Sequence, residues 1–322
     1  MIGWALAGGL LAAAAGGVSW RGALKERDAL RAHPPLGRIV DVGGRRVHAL
    51  TRGSGPDLVL IHGASGNSRD MTHRFMDRLT DRYRVTAFDR PGLGYTDRAP
   101  SASPNPFALA AESPMEQAAM LRAAAAALGI ERPIVLGHSF GGSVAMAWAL
   151  ADPDGTAAVV DVSGATMPWP GGLAWHYRVA SGRIGGALVP WLAAAWAPRR
   201  LVDRAVAATF RPDDVPDAYA EALGAPLALR AASFRANARQ VNALRAHVEA
   251  MSRLYPTLPM PIEIVHGDAD RIVGLDIHSR PLARLAPGAR LTVLPGAGHM
   301  PHHTHPEAVV AAIDRARARA GL

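Results

Sequence analysis

Cysteine is absent from the 322 residues. Disulfides and thiolate metal sites are therefore excluded, while the compartment stays open, because cytosolic and exported chains can both lack cysteine. Lysine is almost absent. Lys25 is the only one, so the net charge of +8 comes from arginines scattered along the chain. No compact basic block with interleaved aromatics occurs, which argues for a solvated arginine-rich surface and against nucleic-acid binding. Aromatic residues are sparse, at 6%, yet four of the seven tryptophans (Trp169, Trp175, Trp191 and Trp196) fall in one stretch. Apolar residues, at 49%, are enough to bury a substantial core. The length suits one large α/β domain with an insertion, or two small domains.

Residues 2–20 contain no charged side chain. At about 1.5 Å per residue a helix of that length just reaches across a bilayer core of about 30 Å. The segment is rich in Ala and Gly, so its insertion energy is marginal. Arg21, Lys25, Arg27 and Arg31 all follow it, whereas a cleaved secretory signal puts its positive charges first. The expectation is an uncleaved N-terminal membrane anchor and linker over residues 1–30. The positive-inside rule then puts the body on the cytoplasmic side. A signal peptide and a helix packed on the domain are the alternatives.

Beyond the Pro34-Pro35 linker, short apolar runs alternate with helix-compatible ones. Strands are expected at residues 39–42 and 46–50, joined by a Gly43-Gly44 hairpin turn. Further strands are expected at 58–61, 83–88, 133–136, 157–162, 261–265 and 289–294. Helices are expected at 68–79, from the Ser113-Pro114-Met115-Glu116 capping box to about 128, at 143–150 and at 306–320. Residues 97–111 read as irregular. Between 164 and 255 no strand is convincing; the stretch is helical and carries the tryptophans. The expected architecture is α/β, with a mainly parallel sheet covered on both faces by helices. Its core is split into residues 31–163 and 256–322 by a helical cap at 164–255.

The chemistry centres on Gly137-His138-Ser139-Phe140-Gly141, between an apolar strand and a helix. This is the glycine spacing of a nucleophile elbow. Glycines at both ends let the two arms of a sharp turn approach closely. Ser139 then sits at the apex, and the Phe140 N–H is free to stabilise an oxyanion. A serine hydroxyl needs a base, and the base needs an orienting carboxylate. His299, in Gly296-Ala297-Gly298-His299, is the candidate base. Asp270, in Asp268-Ala269-Asp270-Arg271, is the candidate acid. Each follows a strand, so both loops emerge at the same sheet edge as the elbow. Asp268 and, more remotely, Asp161 compete for the acid role. His302, His303 and His305 match no familiar metal-ligand spacing and read as a solvated loop.

Five stretches in order resemble the α/β-hydrolase superfamily. They are His62-Gly63 after a strand, Asp89-Arg90-Pro91-Gly92-Leu93-Gly94 after the next, the elbow, the Asp270 loop and the His299 loop. The resemblance spans roughly residues 37–320 apart from the insertion, and implies the α/β-hydrolase fold. It implies Ser139 as nucleophile, Asp270 as acid and His299 as base, with the N–H groups of Ala64 and Phe140 as oxyanion hole. His62 would brace the oxyanion loop. Thr96 stands where the pattern usually has Ser. No cofactor and no metal are implied. The expected reaction is hydrolysis of a partly apolar carboxylic ester under the cap, where Trp169 and Trp175 are candidate substrate contacts. The same triad could instead serve C–C bond, thioester or lactone hydrolysis or perhydrolysis, and a catalytically silent binder is the reading outside enzymes.

Overall fold

The computed structural model describes residues 2–103, 105–173 and 175–322, with the side chains of residues 2–15 and 176 outside the description. Eight strands form one sheet: β1 (Arg38–Val42), β2 (Arg45–Arg52), β3 (Asp57–Ile61), β4 (Arg84–Phe88), β5 (Ile134–His138), β6 (Ala158–Val162), β7 (Ile262–Gly267) and β8 (Ala289–Leu294). Their order is β1-β2-β4-β3-β5-β6-β7-β8. The β1–β2 and β2–β4 pairs are antiparallel; all others are parallel. The hairpin turn has Gly43 and Gly44 at φ 58° and 80°, the left-handed geometry that a tight hairpin needs.

Strand alternation divides the core. Val59, Ile61 and Val135 face one layer of helices, while Leu58, Leu60, Ile134 and Leu136 face the other. The first layer holds Pro114–Ala127, Phe140–Ala151 and the long helix Ala231–Ser252. The second holds Pro306–Ala320 and the segment after β3. The capping box forms as expected: Ser113 Oγ accepts from Glu116 N at 3.2 Å, and the Glu116 carboxylate accepts from Ser113 N at 2.7 Å.

One expected helix differs. Residues 68–79 form a short α-helix, Ser68–Thr72, and a 3₁₀ turn, Met76–Arg78. Arg74 between them has φ 59°. That left-handed residue turns the chain so that Phe75 and Met76 both enter the core.

The membrane anchor is corrected. Among the described residues no helix is long and apolar enough to cross a membrane. Ile2–Ala32 is one continuous helix of 31 residues. Its first half is Ala/Gly-rich, and its second half carries Arg21, Lys25, Glu26, Arg27, Asp28 and Arg31. That second half packs on the protein. Arg21 Nε donates to Ala195 O at 2.8 Å, Gly22 lies against the Trp191 ring, and Ala29 is buried. The placement of the body on the cytoplasmic side falls with the anchor.

β3 is flanked by β4 on one side and β5 on the other, so the chain's direction of progress across the sheet reverses there. Such a switch point opens a crevice at the carboxyl ends of the strands. Ile61 pairs with Gly137 and with Phe88, and Gly267 with Leu294, so these strands end level. The loops that follow them converge.

Candidate active site

The elbow is built as its glycines require. Ser139 has φ 54° and ψ −121°, a conformation that costs a non-glycine residue of order 1–3 kcal/mol. Neighbouring backbone holds it there: Ser139 N donates to Val162 O, and Ala165 N and Gly142 N donate to Ser139 O, each at 3.0 Å. A Cβ on Gly137 would lie 2.1 Å from Gly141 O, and one on Gly141 would lie 2.2 Å from Ile61 O. Both obstacles are backbone and cannot rotate away. Gly141→Ala is therefore expected to destabilise the fold by at least about 2 kcal/mol, the scale of an overpacked core. Urea denaturation measures it against Gly16→Ala, an exposed helical site with open space around it. Equal stabilities for the two variants would mean that the elbow does not need the glycine.

The loop after β3 lies on the elbow. A Cβ on Gly63 would come within 3.1 Å of both Ser139 Cβ and His138 Nδ1. The Gly63 carbonyl accepts from His62 Nδ1 at 2.8 Å and from Arg90 Nη2 at 3.3 Å. A trans peptide sets its N–H opposite its C=O, so holding this carbonyl turns the Ala64 N–H the other way. Phe140 is the first residue of its helix, so its N–H has no intrahelical acceptor. His62 Nε2 accepts from Arg90 N at 2.9 Å, which makes Nδ1 the protonated nitrogen. Burial, aided by the Arg90 charge, pushes the His62 imidazole down to about 4, so it stays neutral.

Arg90 and Asn237 went unassigned in the sequence. The buried Arg90 guanidinium lies 4.1 Å over the Phe140 ring and donates to Gln117 Oε1 at 3.0 Å. Burial lowers it to about 9, opposed by the Glu112 charge. Asn237, on the long helix of the inserted stretch, accepts from Ser65 N at 2.7 Å and donates to Ser65 Oγ at 2.9 Å. The only signal for Arg90 was its place in the Asp89–Gly94 stretch. Nothing local marked Asn237. Thr96 keeps a structural role, its hydroxyl accepting from His48 N at 3.0 Å.

The Asp270 and His299 loops meet. His299 Nδ1 donates to Asp270 Oδ2 at 2.7 Å, leaving Nε2 as the basic nitrogen. Asp270 Oδ1 accepts from Ile272 N at 2.8 Å and Val273 N at 3.0 Å. His266 Nε2 also approaches Oδ2, at 3.2 Å. Burial alone would raise the Asp270 carboxyl. The hydrogen bonds from His266 and His299 outweigh it and hold the group well below the usual carboxylate range. Its folded-state pKa is depressed, so its stabilising contribution is present above the ordinary carboxyl pKa of about 4 and is lost as pH falls through the folded value. Ser139, Asp270 and His299 are each buried.

The rivals lie elsewhere. Asp268 Oδ1 accepts from Gly296 N at 2.7 Å and ties one loop to the next. Asp161 is buried against Gly142 and Gly164, and burial lifts its carboxyl to about 7. Trp169 is partly buried against the core, its ring 5.9 Å from that of His278. Trp175 begins the helix Trp175–Ser181 and is 69% exposed, not what a cavity-facing residue was expected to show. The solvated reading of the histidine run is corrected as well. His302 and His303 are buried side chains packed on Asp70, at 3.4 Å and 2.9 Å from its Oδ1. Helix Pro301–Thr304 turns them inward.

The sequence pattern of the α/β hydrolase family matches residues 58–312. The chain belongs to the α/β hydrolase family. It is similar to a Mycobacterium tuberculosis protein, 29% identical over 290 residues that cover 88% of this chain and 81% of the relative. It is also 29% identical over 272 residues to the pimeloyl-[acyl-carrier protein] methyl ester esterase of Aeromonas hydrophila, covering 81% of this chain and 95% of the esterase. A crystal structure of an α/β hydrolase fold protein from Burkholderia ambifaria superposes with a TM-score of 0.70 at 27% identity, over 86% of this chain and 97% of the other. As a family member with an esterase among its relatives, this α/β hydrolase is a hydrolytic enzyme.

Proposed function

We propose that this α/β hydrolase cleaves a carboxylic ester through an acyl-enzyme on Ser139, with His299 as base and Asp270 as acid. The observation that carries the reading is the 2.7 Å His299–Asp270 hydrogen bond at the sheet edge where Ser139 holds a positive φ. Ser139 Oγ attacks the ester carbonyl carbon, and its proton passes to His299 Nε2. The oxyanion accepts hydrogen bonds from Ala64 N–H and Phe140 N–H. The alcohol leaves with the proton from His299. Water then attacks the acyl carbon as His299 takes its proton; the bond from the acyl carbon to Ser139 Oγ breaks, His299 returns the proton to Oγ, and the carboxylic acid departs. Asp270 stays ionised and holds the imidazole tautomer throughout.

The substrate is a small or medium, partly apolar ester, a reading supported by the contacts of the helical stretch with the site loops, Asn237 to Ser65 and Asp213 to Gly298. The helical stretch at 164–255 sets acyl and alcohol preference, with Trp169 the stronger candidate contact and Trp175 the weaker one. The test is a chain-length profile on p-nitrophenyl esters from acetate to laurate, with a diketone and a peracid assay beside it. Ester turnover should dominate. Trp169→Ala should change kcat/KM between neighbouring esters by roughly 10- to 200-fold, the worth of a methylene of room. A profile that drops evenly would leave Trp169 a packing residue. Turnover of the diketone with inert esters would move the reaction to carbon–carbon cleavage.

A further inference from the structure

Behind the elbow lies a second cluster that ester hydrolysis does not use. Asp70, His138 and His302 are all buried, and one ligand atom from each lies within 4.8 Å of the others. Asp70 belongs to helix Ser68–Thr72, just after the loop that carries Ala64; His138 precedes Ser139; His302 follows His299 by three residues. The protonation of these groups follows from their partners. His138 Nε2 lies 2.9 Å from the His299 carbonyl and must donate to it. That leaves His138 Nδ1 as a lone pair, buried and without a hydrogen-bond partner in the chain. It faces Asp70 Oδ2 at 4.0 Å, so two acceptors confront each other.

Asp70 is already oriented for this. Its other oxygen, Oδ1, accepts from Tyr219 Oη at 2.7 Å and from His303 Nε2 at 2.9 Å. Outer partners of this kind fix metal-ligating carboxylates. Oδ2 is left facing His138 Nδ1. His302 Nε2 makes only a long contact to Asp70, 3.4 Å, and His302 Nδ1 is a second buried ring nitrogen without a partner. Metal–ligand bonds of about 2.0–2.1 Å put tetrahedral neighbours about 3.3 Å apart, so small shifts would close this cage.

We infer that Asp70, His138 and His302 form a buried site for a divalent transition-metal ion, Zn²⁺ in first place. Two imidazoles and one carboxylate are a donor set that zinc accepts. The ion would place a positive charge beside the buried Asp70 carboxylate and would accept the lone pair of His138 Nδ1, which meets no hydrogen-bond donor in the chain. Its role is structural. One ion would tie together the segments that carry the oxyanion loop, the nucleophile and the base, without touching the scissile bond.

The test uses the full chain, incubated with EDTA, dialysed and titrated with Zn²⁺ alone. The expected result is one zinc per chain by elemental analysis and calorimetry, with Tm raised by about 4 °C at a hundredfold excess over Kd. Asp70→Asn and His302→Gln should each weaken binding about 100-fold or more. His303→Gln, which removes an orienting partner, should weaken it about 10- to 100-fold. His305→Gln should bind as the parent does. If the parent takes up no zinc and its Tm does not move, the cluster is a hydrogen-bond network closed by water, and the inference is wrong. Asp70→Asn binding as tightly as the parent would overturn it too.

Discussion

Ser139→Ala is expected to lower kcat for ester hydrolysis by on the order of 10⁴ or more, because members of a triad act as a unit. The fold should survive. Ser139 makes no side-chain cap to its helix, and the elbow is held by the backbone bonds to Val162, Gly142 and Ala165. Alanine keeps those bonds and removes only the hydroxyl. The measurements are kcat on a short p-nitrophenyl ester, unfolding by urea, and labelling of the parent by a fluorophosphonate. The label should sit on Ser139 and be absent from the variant. A label on another serine, with Ser139 unmodified, would move the nucleophile elsewhere.

Asp270→Asn is expected to cost about 10⁴ in kcat, the size seen when a comparable triad loses its acid by the same change. The amide oxygen can keep the bonds from Ile272 N and Val273 N. Its NH₂ group then faces His299 Nδ1, where a carboxylate oxygen now accepts at 2.7 Å. The imidazole must put its proton on Nε2, and Nε2 can no longer take the proton of Ser139. Asp268→Asn should fall within about tenfold of the parent, since Asp268 contacts Gly296 N and not the imidazole. Equal losses in the two variants, or the larger loss at Asp268, would transfer the acid role.

The strands were legible because a buried parallel strand is a short apolar run between polar turns. All eight expected runs are strands, with no end shifted by more than two residues. The elbow was legible because its requirement is local: glycines two residues either side of Ser139, with backbone at 2.1–2.2 Å from where their Cβ atoms would be. The meeting of Asp270 with His299 followed from the position of each after a strand. The break at Arg74 was not legible, since nothing in the helix pattern of 68–79 announces a left-handed arginine.

The sequence by itself determined the fold class, the strand order in the chain and which loops carry the candidate nucleophile, base and acid, because short-range spacing dictates these. Tertiary structure alone decided the fate of the first helix, whose charged second half is packed on the protein at Arg21, Gly22 and Ala29. It alone decided that Arg90 and His62 hold the Gly63 carbonyl, and that Asn237 reaches Ser65 from 172 residues away. It also decided that His302 is buried and that the His303 side chain is shielded from solvent. Their partner, Asp70, is more than 230 residues distant in the chain. A histidine beside polar neighbours looks solvated in any local window. Burial depends on a carboxylate brought to it by the parallel sheet, and that pairing leaves no periodic trace in the sequence.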